Sequence, residues 1–308
     1  MPLRHVVILS CALLSSLTAA RAQEICGRPS GVQLQVLGSG GPEVQDKRAS
    51  SSYLIWVDGK ARVLLDIGGG AALRFGESDA QFADLDVILF SHLHVDHSAD
   101  LPALIKSSWF EDRTAALPIY GPPGNKFMPS TVGFVRTLFD PVRGAYRYLG
   151  EFIGPLGKNT YKLKPYNVVR KEVSANPVFS NDRVRIFAAP VIHGQVPALA
   201  WRIEAAGKSM TFSGDMNGDG GNLEKLAEDT DLLLAHNAIP ENASVVERTL
   251  HMPPSVIGRI ARAAKVRSLV LSHRMLRTLG KEDATLAAIK KNYNGPVTFA
   301  NDLSCHQP

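Results

Sequence analysis

The chain has 308 residues, of which 45% are hydrophobic and 20% charged, and its formal net charge is +5 at pH 7. This length and apolar content suffice for one large packed domain or two smaller ones, and they exclude a fibrous or wholly disordered chain. The charge is mild and no run of Lys and Arg stands out, so charge alone gives no indication of nucleic-acid binding.

Residues 1–22 have the pattern of a secretory signal peptide. Met1–His5 is a short basic start, Val6–Ala20 is apolar with small residues, and Ala20-Arg21-Ala22 fits a cleavage site. The apolar stretch is too short, and too often interrupted by serine, for a membrane span. We expect an exported protein, periplasmic or secreted, with no membrane contact after cleavage. The alternatives are a buried first helix and a lipoprotein modified at Cys11.

Two cysteines remain in the expected mature chain, Cys26 near its start and Cys305 near its end. In an oxidising compartment, an even pair at opposite ends favours a disulfide that joins the termini. The termini of compact domains often lie close together, which supports this pairing. The alternative is two free thiols in frayed tails.

The first elements of the mature chain are predicted to be strands. Val32–Leu37 alternates polar and apolar residues, as a half-buried strand does. Ser52–Val57 and Ala61–Leu65 are predicted to form a hairpin, because Asp58-Gly59 between them is a type I′ turn signal. Gly38-Ser-Gly-Gly41 lacks the third glycine and the following helix of a dinucleotide-binding loop. We expect it to be a tight turn that brings backbone near a functional site.

Four later segments share one layout, in which a short apolar strand and a small residue are followed by His or Asp. Strands that deliver polar side chains at the same kind of end bring them together on one rim of a sheet, where sites are usually built in layered α/β folds. The segments are Val87–Phe90 with His92, Met210–Phe212 with Asp215, Leu232–Leu234 with His236, and Leu269–Leu271 with His273.

Helices are predicted between these strands. Pro253-Pro254 opens one whose apolar face continues to Ala264, and another follows Glu282. The segment from Trp109 to Tyr161 is less regular and is expected to contribute loops or a lid. Because there is no repeat, linker or low-complexity stretch, we expect residues 23–308 to form a single domain of mixed α/β layers.

Three histidines and an aspartate, His92, His94, Asp96 and His97, lie within six residues directly after a buried strand. Imidazole nitrogen and carboxylate oxygen are the usual zinc ligands where thiolate is absent. Six adjacent residues cannot comfortably wrap four ligands around one ion, which favours two neighbouring metals with a bridging carboxylate, and Asp215 is the best candidate for that bridge. Such an all-His/Asp site also accepts manganese or iron.

These motifs resemble those of the metallo-β-lactamase superfamily, whose signature His-x-His-x-Asp-His is His92–His97 here. Within it, the ribonuclease Z-like branch, with its arylsulfatase and phosphodiesterase relatives, is the most similar. The resemblance implies an α/β fold, the αββα sandwich, in which two mixed sheets are flanked by helices and a metal site lies along one edge. It also rests on Leu65-Asp66-Ile-Gly68, Tyr120-Gly-Pro-Pro-Gly124, Val191-Ile-His-Gly194, Phe212-Ser-Gly-Asp215 and Leu271-Ser-His273.

The resemblance further implies a set of metal ligands and a mechanism. The ligands are His92, His94 and His193 for a first zinc, Asp96, His97 and His273 for a second, and Asp215 as the bridge. A hydroxide shared by two Zn²⁺ would be the nucleophile, and Asp96 would orient it or accept a proton. His251 would donate a proton to the leaving group, or alternatively would only pack at the entrance of a helix.

Several features depart from ribonuclease Z. Only Glu204–Ser209 occupies the position of its long substrate-gripping arm, and Ala235-His236-Asn237-Ala238 stands where the family often has His-Glu-Ala-Thr. The acidic partner of His251 is therefore missing. Asp100 falls where relatives often have Gly, and we treat it as an unexplained substitution rather than an eighth ligand.

The expected function is that of an exported binuclear zinc hydrolase acting on a phosphodiester or aryl sulfate ester. We expect a small-molecule anionic ester as substrate. We expect no nucleic-acid partner, because export separates the protein from tRNA precursors. The sequence does not determine the oligomeric state, and a homodimer is one of the possibilities. One alternative is a lactonase or β-lactamase-type carbonyl hydrolase. The other is a non-catalytic binding member of the fold, which is disfavoured because every implied ligand position is filled.

Overall fold

The computed structural model of the chain describes residues 26–27, 30–155 and 161–308, so the predicted signal peptide, residues 1–22, lies outside the described part. The strands in the described part are β1 (Val32–Gly38), β2 (Ser52–Val57), β3 (Lys60–Leu65), β4 (Val87–Leu89), β5 (Leu117–Gly121), β6 (Leu163–Asn167), β7 (Phe179–Ser180), β8 (Val184–His193), β9 (Val196–Ala205), β10 (Lys208–Phe212), β11 (Leu232–His236), β12 (Ser268–Ser272), β13 (Val297–Phe299) and β14 (Cys305–His306). The α-helices are α1 (Ala71–Glu77), α2 (Val95–Ser98), α3 (Leu101–Ser107), α4 (Thr131–Phe139), α5 (Asn222–Leu226), α6 (Val245–Leu250), α7 (Pro254–Ala263) and α8 (Glu282–Ile289).

The strands form two seven-stranded sheets with the same plan. Their orders are β14-β1-β2-β3-β4-β5-β6 and β13-β12-β11-β10-β9-β8-β7. In each sheet three antiparallel pairs continue into three parallel pairs, so both sheets are mixed. Because β3, β4 and β5 run parallel in one sheet and β10, β11 and β12 in the other, the carboxyl ends within each set lie at one edge.

Three hydrophobic layers hold the sheets and helices together. The central layer packs between the sheets and includes the fully buried rings of Tyr53, Trp201 and Phe212. One outer layer covers the first sheet with apolar side chains such as Phe139, and the other covers the second sheet with side chains such as Ile260. This layering confirms the predicted αββα sandwich.

The hairpin β2–β3 confirms the predicted turn chemistry. Asp58 and Gly59 both have positive φ, at 49° and 76°, as a type I′ turn requires. The connection between β9 and β10 is also tight, since only Ala206 and Gly207 separate the two strands.

The expectation of an irregular segment from Trp109 to Tyr161 is wrong in part. It contains β5, which joins the first sheet, and α4, which buries Val135 and Phe139. The Ser130 side chain caps α4 by accepting a hydrogen bond from the Gly133 amide. Threonine, valine and glycine in the first turn of α4 have weak helix propensity, so tertiary packing and the cap determine this helix rather than local preference.

A disulfide joins Cys26 and Cys305, whose Cα atoms lie 5.7 Å apart, and this confirms the predicted pairing. The bond ties the first described residues to β14, which pairs with β1 in the first sheet. None of the helices in the described ranges combines the length and the apolar character that crossing a membrane requires.

Candidate metal centre

Polar side chains from both sheets meet at one edge of the sandwich. In each case a strand ends at or just before a histidine or aspartate, as the sequence layout predicts for all of them except His193. The side chains are His92 after β4, His193 at the end of β8, Asp215 after β10, His236 at the end of β11 and His273 after β12. All five are almost completely buried, so they face one another rather than solvent.

The short helix α2 turns the chain back over this edge. His94 immediately precedes the helix, and Asp96 and His97 lie within its single turn. The Ser98 hydroxyl donates to the His94 carbonyl at 2.9 Å, which fixes the start of the turn. The signature motif thus delivers four side chains from one strand end and one helical turn.

The carboxylate of Asp215 lies at the centre of the cluster. Its oxygens are between 2.7 and 3.8 Å from ring nitrogens of six histidines, namely His92, His97, His193, His236, His251 and His273. Burial alone would raise the pKa of Asp215, but the surrounding histidines, His273 foremost, together hold it well below its usual value. Asp215 is therefore an anion shared by the whole cluster.

The first group of predicted ligands consists of three ring nitrogens that face one another. His94 Nδ1 lies 3.0 Å from His92 Nε2 and 3.3 Å from His193 Nε2. His193 Nδ1 donates to the Leu250 carbonyl at 2.8 Å, so its Nε2 carries a lone pair. Burial lowers the pKa of both His92 and His94, which keeps these rings neutral.

Asp66 and Ser91 orient the ring of His92, as the Leu250 carbonyl orients that of His193. The Ser91 hydroxyl donates to Asp66 Oδ2 at 2.7 Å and lies 3.1 Å from His92 Nδ1. Since that hydroxyl proton is committed to Asp66, His92 Nδ1 must donate to Ser91, which leaves the Nε2 lone pair turned toward the cluster.

The second group contains Asp96, His97 and His273. His97 Nδ1 donates to Asp66 Oδ2 at 2.8 Å, while its buried Nε2 has no hydrogen-bond partner in the described part of the chain. Asp96 Oδ2 lies 3.6 Å from that Nε2 and 3.2 Å from His273 Nε2. Burial would lower the pKa of His97 and of His273, but the neighbouring carboxylates outweigh it and raise both values.

These groups fit divalent metal ions, typically zinc. One ligand atom from each of His92, His94, His193 and Asp215 lies within 4.8 Å of the others, and the same holds for His97, Asp215, His236 and His273. Converging lone pairs repel one another, and a buried ring nitrogen without a partner is costly, unless a cation is shared between them. The carboxylates supply the negative charge that such a cation needs.

His236 also lies within ligand distance of Asp215 and His273, but both of its ring nitrogens are engaged. Nδ1 donates to Asp215 Oδ1 at 2.7 Å, and Nε2 accepts from the Tyr53 hydroxyl at 3.0 Å. Ser272 Oγ lies 3.1 Å from that hydroxyl. We therefore assign His236 to positioning the Asp215 carboxylate, and keep Asp96 as the predicted ligand.

His251 lies at the carboxyl end of α6, and its Nδ1 is 3.8 Å from Asp215 Oδ2. No residue that the structure describes forms a hydrogen bond with that nitrogen. Burial is the main cause that lowers its pKa to about 3, so the ring is neutral near pH 7. Asn237 lies in the segment that stands where the family often has His-Glu-Ala-Thr, and both of its buried side-chain polar atoms are without a partner among the described residues. The structure therefore brings His251 to the cluster, and its role in proton donation stays a prediction.

Two features that the sequence left open now have a structural account. Asp100 Oδ2 accepts from the Ala72 amide at 3.0 Å, so Asp100 caps the start of α1 rather than binding metal. The predicted turn at Gly38–Gly41 packs its backbone against the site, since a Cβ on Gly41 would lie 2.7 Å from the His273 ring. Tyr53 was missed, because nothing in the apolar strand Ser52–Val57 marks its hydroxyl as functional.

Comparison with known proteins gives the same family from two directions. The family model described as the metallo-beta-lactamase superfamily matches residues 46–245. A ribonuclease Z of Mycobacterium bovis (strain BCG / Pasteur 1173P2) is 28% identical over 286 residues, covering 88% of this chain and 96% of that protein.

Two solved structures share the fold. The metallo-beta-lactamase fold protein YhfI of Bacillus subtilis superposes with a TM-score of 0.70 at 20% identity, covering 90% of this chain and 99% of that one. Human tRNase Z, short form, gives a TM-score of 0.66 at 19% identity, covering 89% and 98%.

These comparisons overturn the expectation that the protein has a small-molecule ester as substrate and no nucleic-acid partner. A relative named for its action on RNA aligns over nearly the whole chain. The expectation relied on the predicted export of the protein, which would separate it from tRNA precursors. The mild net charge gave no contrary indication, because it is a sum over the whole chain and does not report the few contacts near a cleaved phosphate.

Proposed function

The chain belongs to the metallo-beta-lactamase superfamily of metal-dependent hydrolases, and we propose that it is a two-metal phosphodiesterase whose substrate is RNA. The observation that carries this proposal is the Asp215 carboxylate, which lies between 3.4 and 3.8 Å from ring nitrogens on both ligand groups and on His251. A single anion shared in this way suits two adjacent cations. The ribonuclease Z relatives support RNA as the phosphodiester.

Each part of the cluster has a task in this proposal. His92, His94 and His193 would hold one metal, Asp96, His97 and His273 the other, with Asp215 between them. Metals bound there lower the pKa of water and polarise a phosphoryl oxygen. His251 approaches Asp215 from α6 as a neutral imidazole and would donate a hydrogen bond to the departing oxygen.

Protein groups around the ligands keep them oriented before substrate arrives. Asp66 accepts from His97 and Ser91, and the Leu250 carbonyl accepts from His193. Such partners fix the tautomer and direction of a ligating histidine. All the predicted ligands are buried except His94, which is half-buried, so the cluster is largely shielded from solvent.

The short β9–β10 connection supports a substrate with an accessible single strand. Only Ala206 and Gly207 join the two strands, where ribonuclease Z is expected to carry a long arm. Without that arm the chain has no extended grip at this position for a large folded RNA. We therefore propose that a few nucleotides around the cleaved phosphate provide most of the binding.

The test is a side-by-side assay of the zinc-loaded protein, residues 23–308. The substrates are a labelled single-stranded RNA, a hairpin RNA with a 3′ extension, bis(p-nitrophenyl) phosphate, p-nitrophenyl sulfate, a lactone and a cephalosporin. We expect turnover of the phosphodiesters, loss on chelation and recovery on adding zinc. Turnover of only the sulfate, the lactone or the cephalosporin, or fewer than one bound metal per chain, would contradict the proposal.

Export is a further part of the proposal, supported by the pattern of residues 1–22 and by the Cys26–Cys305 disulfide, which is typical of oxidising compartments. Expression of the full chain in a bacterium, with cell fractionation and N-terminal sequencing, tests it. We expect the mature protein in the periplasm or medium with its N-terminus at Gln23. An uncleaved chain in the cytoplasm would refute export without affecting the hydrolase proposal.

A further inference from the structure

The loop between β5 and α4, residues 122–130, lies at the same edge of the sandwich as the metal centre. β5 runs parallel to β4 with Leu89 opposite Tyr120, so the carboxyl ends of both strands face the same way. A hydrogen bond also places the loop next to the segment that follows β8. Asn125 Nδ2 donates to the Gln195 carbonyl at 2.8 Å, and Gln195 is two residues beyond the predicted ligand His193.

Hydrogen bonds of Asn125 also fix the shape of the loop. Its Oδ1 accepts from the amides of Phe127 and Met128, at 2.8 and 3.0 Å. Its own amide donates to the Met128 carbonyl at 2.9 Å. The tip of the loop is therefore a closed turn that holds Lys126 and Phe127 in one place.

That tip presents an aromatic ring and a cation to solvent. Phe127 is 52% exposed, and the Lys126 ammonium lies 4.8 Å from the centre of its ring. A single exposed phenylalanine is ordinary on a protein surface. Here the ring is held by a rigid turn beside a predicted ligand loop, and extended chain spans at most about 3.6 Å per residue. The two short steps from His193 to Gln195 and from Asn125 to Phe127 therefore keep the tip near the centre.

An aromatic face next to a cation is the combination with which proteins bind single-stranded nucleic acid. Bases stack on aromatic rings, and a basic side chain pairs with the backbone phosphate. We propose that Phe127 and Lys126 bind an unpaired nucleotide beside the cleaved phosphate, with the base stacked on the ring and its phosphate paired with the ammonium. This inference rests on the proposed function, because it names the part of an RNA that the site grips.

The experiment measures binding without catalysis. Fluorescence anisotropy follows a fluorescein-labelled decamer of uridine on the zinc-free protein, residues 23–308, in chelator. We expect Phe127→Ala to weaken binding about fivefold or more, the loss typical of one stacked base, and Phe127→Trp to restore it. Lys126→Gln should weaken binding and reduce the slope of log K against log salt by about 0.7, the value for one phosphate contact on a single strand.

Phe110 offers a matched control. It is 79% exposed and has its own lysine, Lys106, at 5.2 Å from its ring centre. Glu111 next to it accepts from the Ala83 amide, which precedes β4, so Phe110 lies at the end of the sheet away from the metal centre. Phe110→Ala should leave binding of the decamer unchanged.

The outcomes separate the inference from the proposed function. Wild-type binding by Phe127→Ala, or an equal loss in Phe110→Ala, would overturn the nucleotide-binding role of the loop. Hydrolysis of methyl p-nitrophenyl phosphate by the zinc-loaded wild-type protein is measured in parallel, and its absence would contradict the phosphodiesterase proposal alone. If Phe127→Ala weakens binding and Phe110→Ala does not, the inference is supported whether or not the phosphodiester is hydrolysed.

Discussion

Tyr53→Phe tests whether a buried hydrogen-bond chain holds the metal centre in place. The Tyr53 hydroxyl donates to His236 Nε2 at 3.0 Å, and His236 Nδ1 donates to Asp215 Oδ1 at 2.7 Å. The substitution removes one oxygen and keeps the ring, which is fully buried in the central layer. Packing is therefore nearly unchanged, and any effect comes from the lost hydrogen bonds.

Two consequences of this substitution differ in size and in kind. His236 Nε2 and the Ser272 hydroxyl lose their common partner, and leaving such buried groups unsatisfied costs about 1–3 kcal/mol of folding stability. His236 is also no longer held in the tautomer that donates to Asp215. Loss of a direct partner of a metal ligand typically lowers metal affinity about 10- to 100-fold. Because Tyr53 acts on the ligand Asp215 only through His236, we expect a loss at the lower end of that range, about tenfold, for zinc.

Tyr161→Phe is the matched control for this prediction. Tyr161 is also a buried tyrosine, and its hydroxyl bonds to Ser108 Oγ at 2.7 Å, outside the metal centre. Zinc affinity is measured by competition with a chromophoric chelator, and stability by denaturation of the zinc-free proteins. Both variants should lose stability, but only Tyr53→Phe should lose zinc affinity. Wild-type zinc affinity in Tyr53→Phe would refute the positioning role of the chain through His236.

Three further predictions address the bridge, the packing of the helices and the disulfide. Asp215→Ala should bind less than one metal per chain by elemental analysis and lose nearly all phosphodiester turnover; full activity would show that the bridging assignment is wrong. Gly258→Ala would place a Cβ 2.5 Å from the Ile289 carbonyl oxygen, and this overpacking should cost about 1–3 kcal/mol in a denaturation experiment. Replacing Cys26 and Cys305 by serine opens a link across 279 residues and should cost about 2–4 kcal/mol. A reducing agent should then destabilise only the wild-type protein, and an equal response in both would contradict this.

The fold could be predicted wherever local patterning agrees with the final structure. Alternation in Val32–Leu37 and the Asp-Gly turn signal predicted β1 and the β2–β3 hairpin, because side chains of a strand alternate between its two faces. The alternation did not report burial, since β1 is buried on both faces, Gln33 and Gln35 included. The helix α4 was missed for the opposite reason. Its first turn has weak helix formers, and its stability comes from the buried Val135 and Phe139, which contact elements distant in sequence.

Site residues could be predicted from the sequence when the residues they act with are close to them in the sequence. His92–His97 forms a short motif whose chemistry is visible without a structure, whereas Asp100 has its partner at the Ala72 amide, 28 residues upstream. Tyr53 is the extreme case, since its partner His236 is 183 residues away on the other sheet. A tyrosine in an apolar strand gives no local sign of such a contact.

The exclusion of nucleic acid was wrong because it rested on predicted export, and the mild net charge could not have corrected it. Net charge measures how strongly a whole protein attracts a polyanion at a distance, and a small positive value lowers that long-range attraction. Net charge does not limit which bond the buried His/Asp cluster can cleave. Nor does it limit what Lys126 and Phe127, at the tip of the loop 122–130, can bind. Those two residues contribute one charge and one aromatic ring, which barely change the net charge or the composition of a 308-residue chain. Only the parallel pairing of β5 with β4, together with the Asn125–Gln195 contact, places them beside the metal centre.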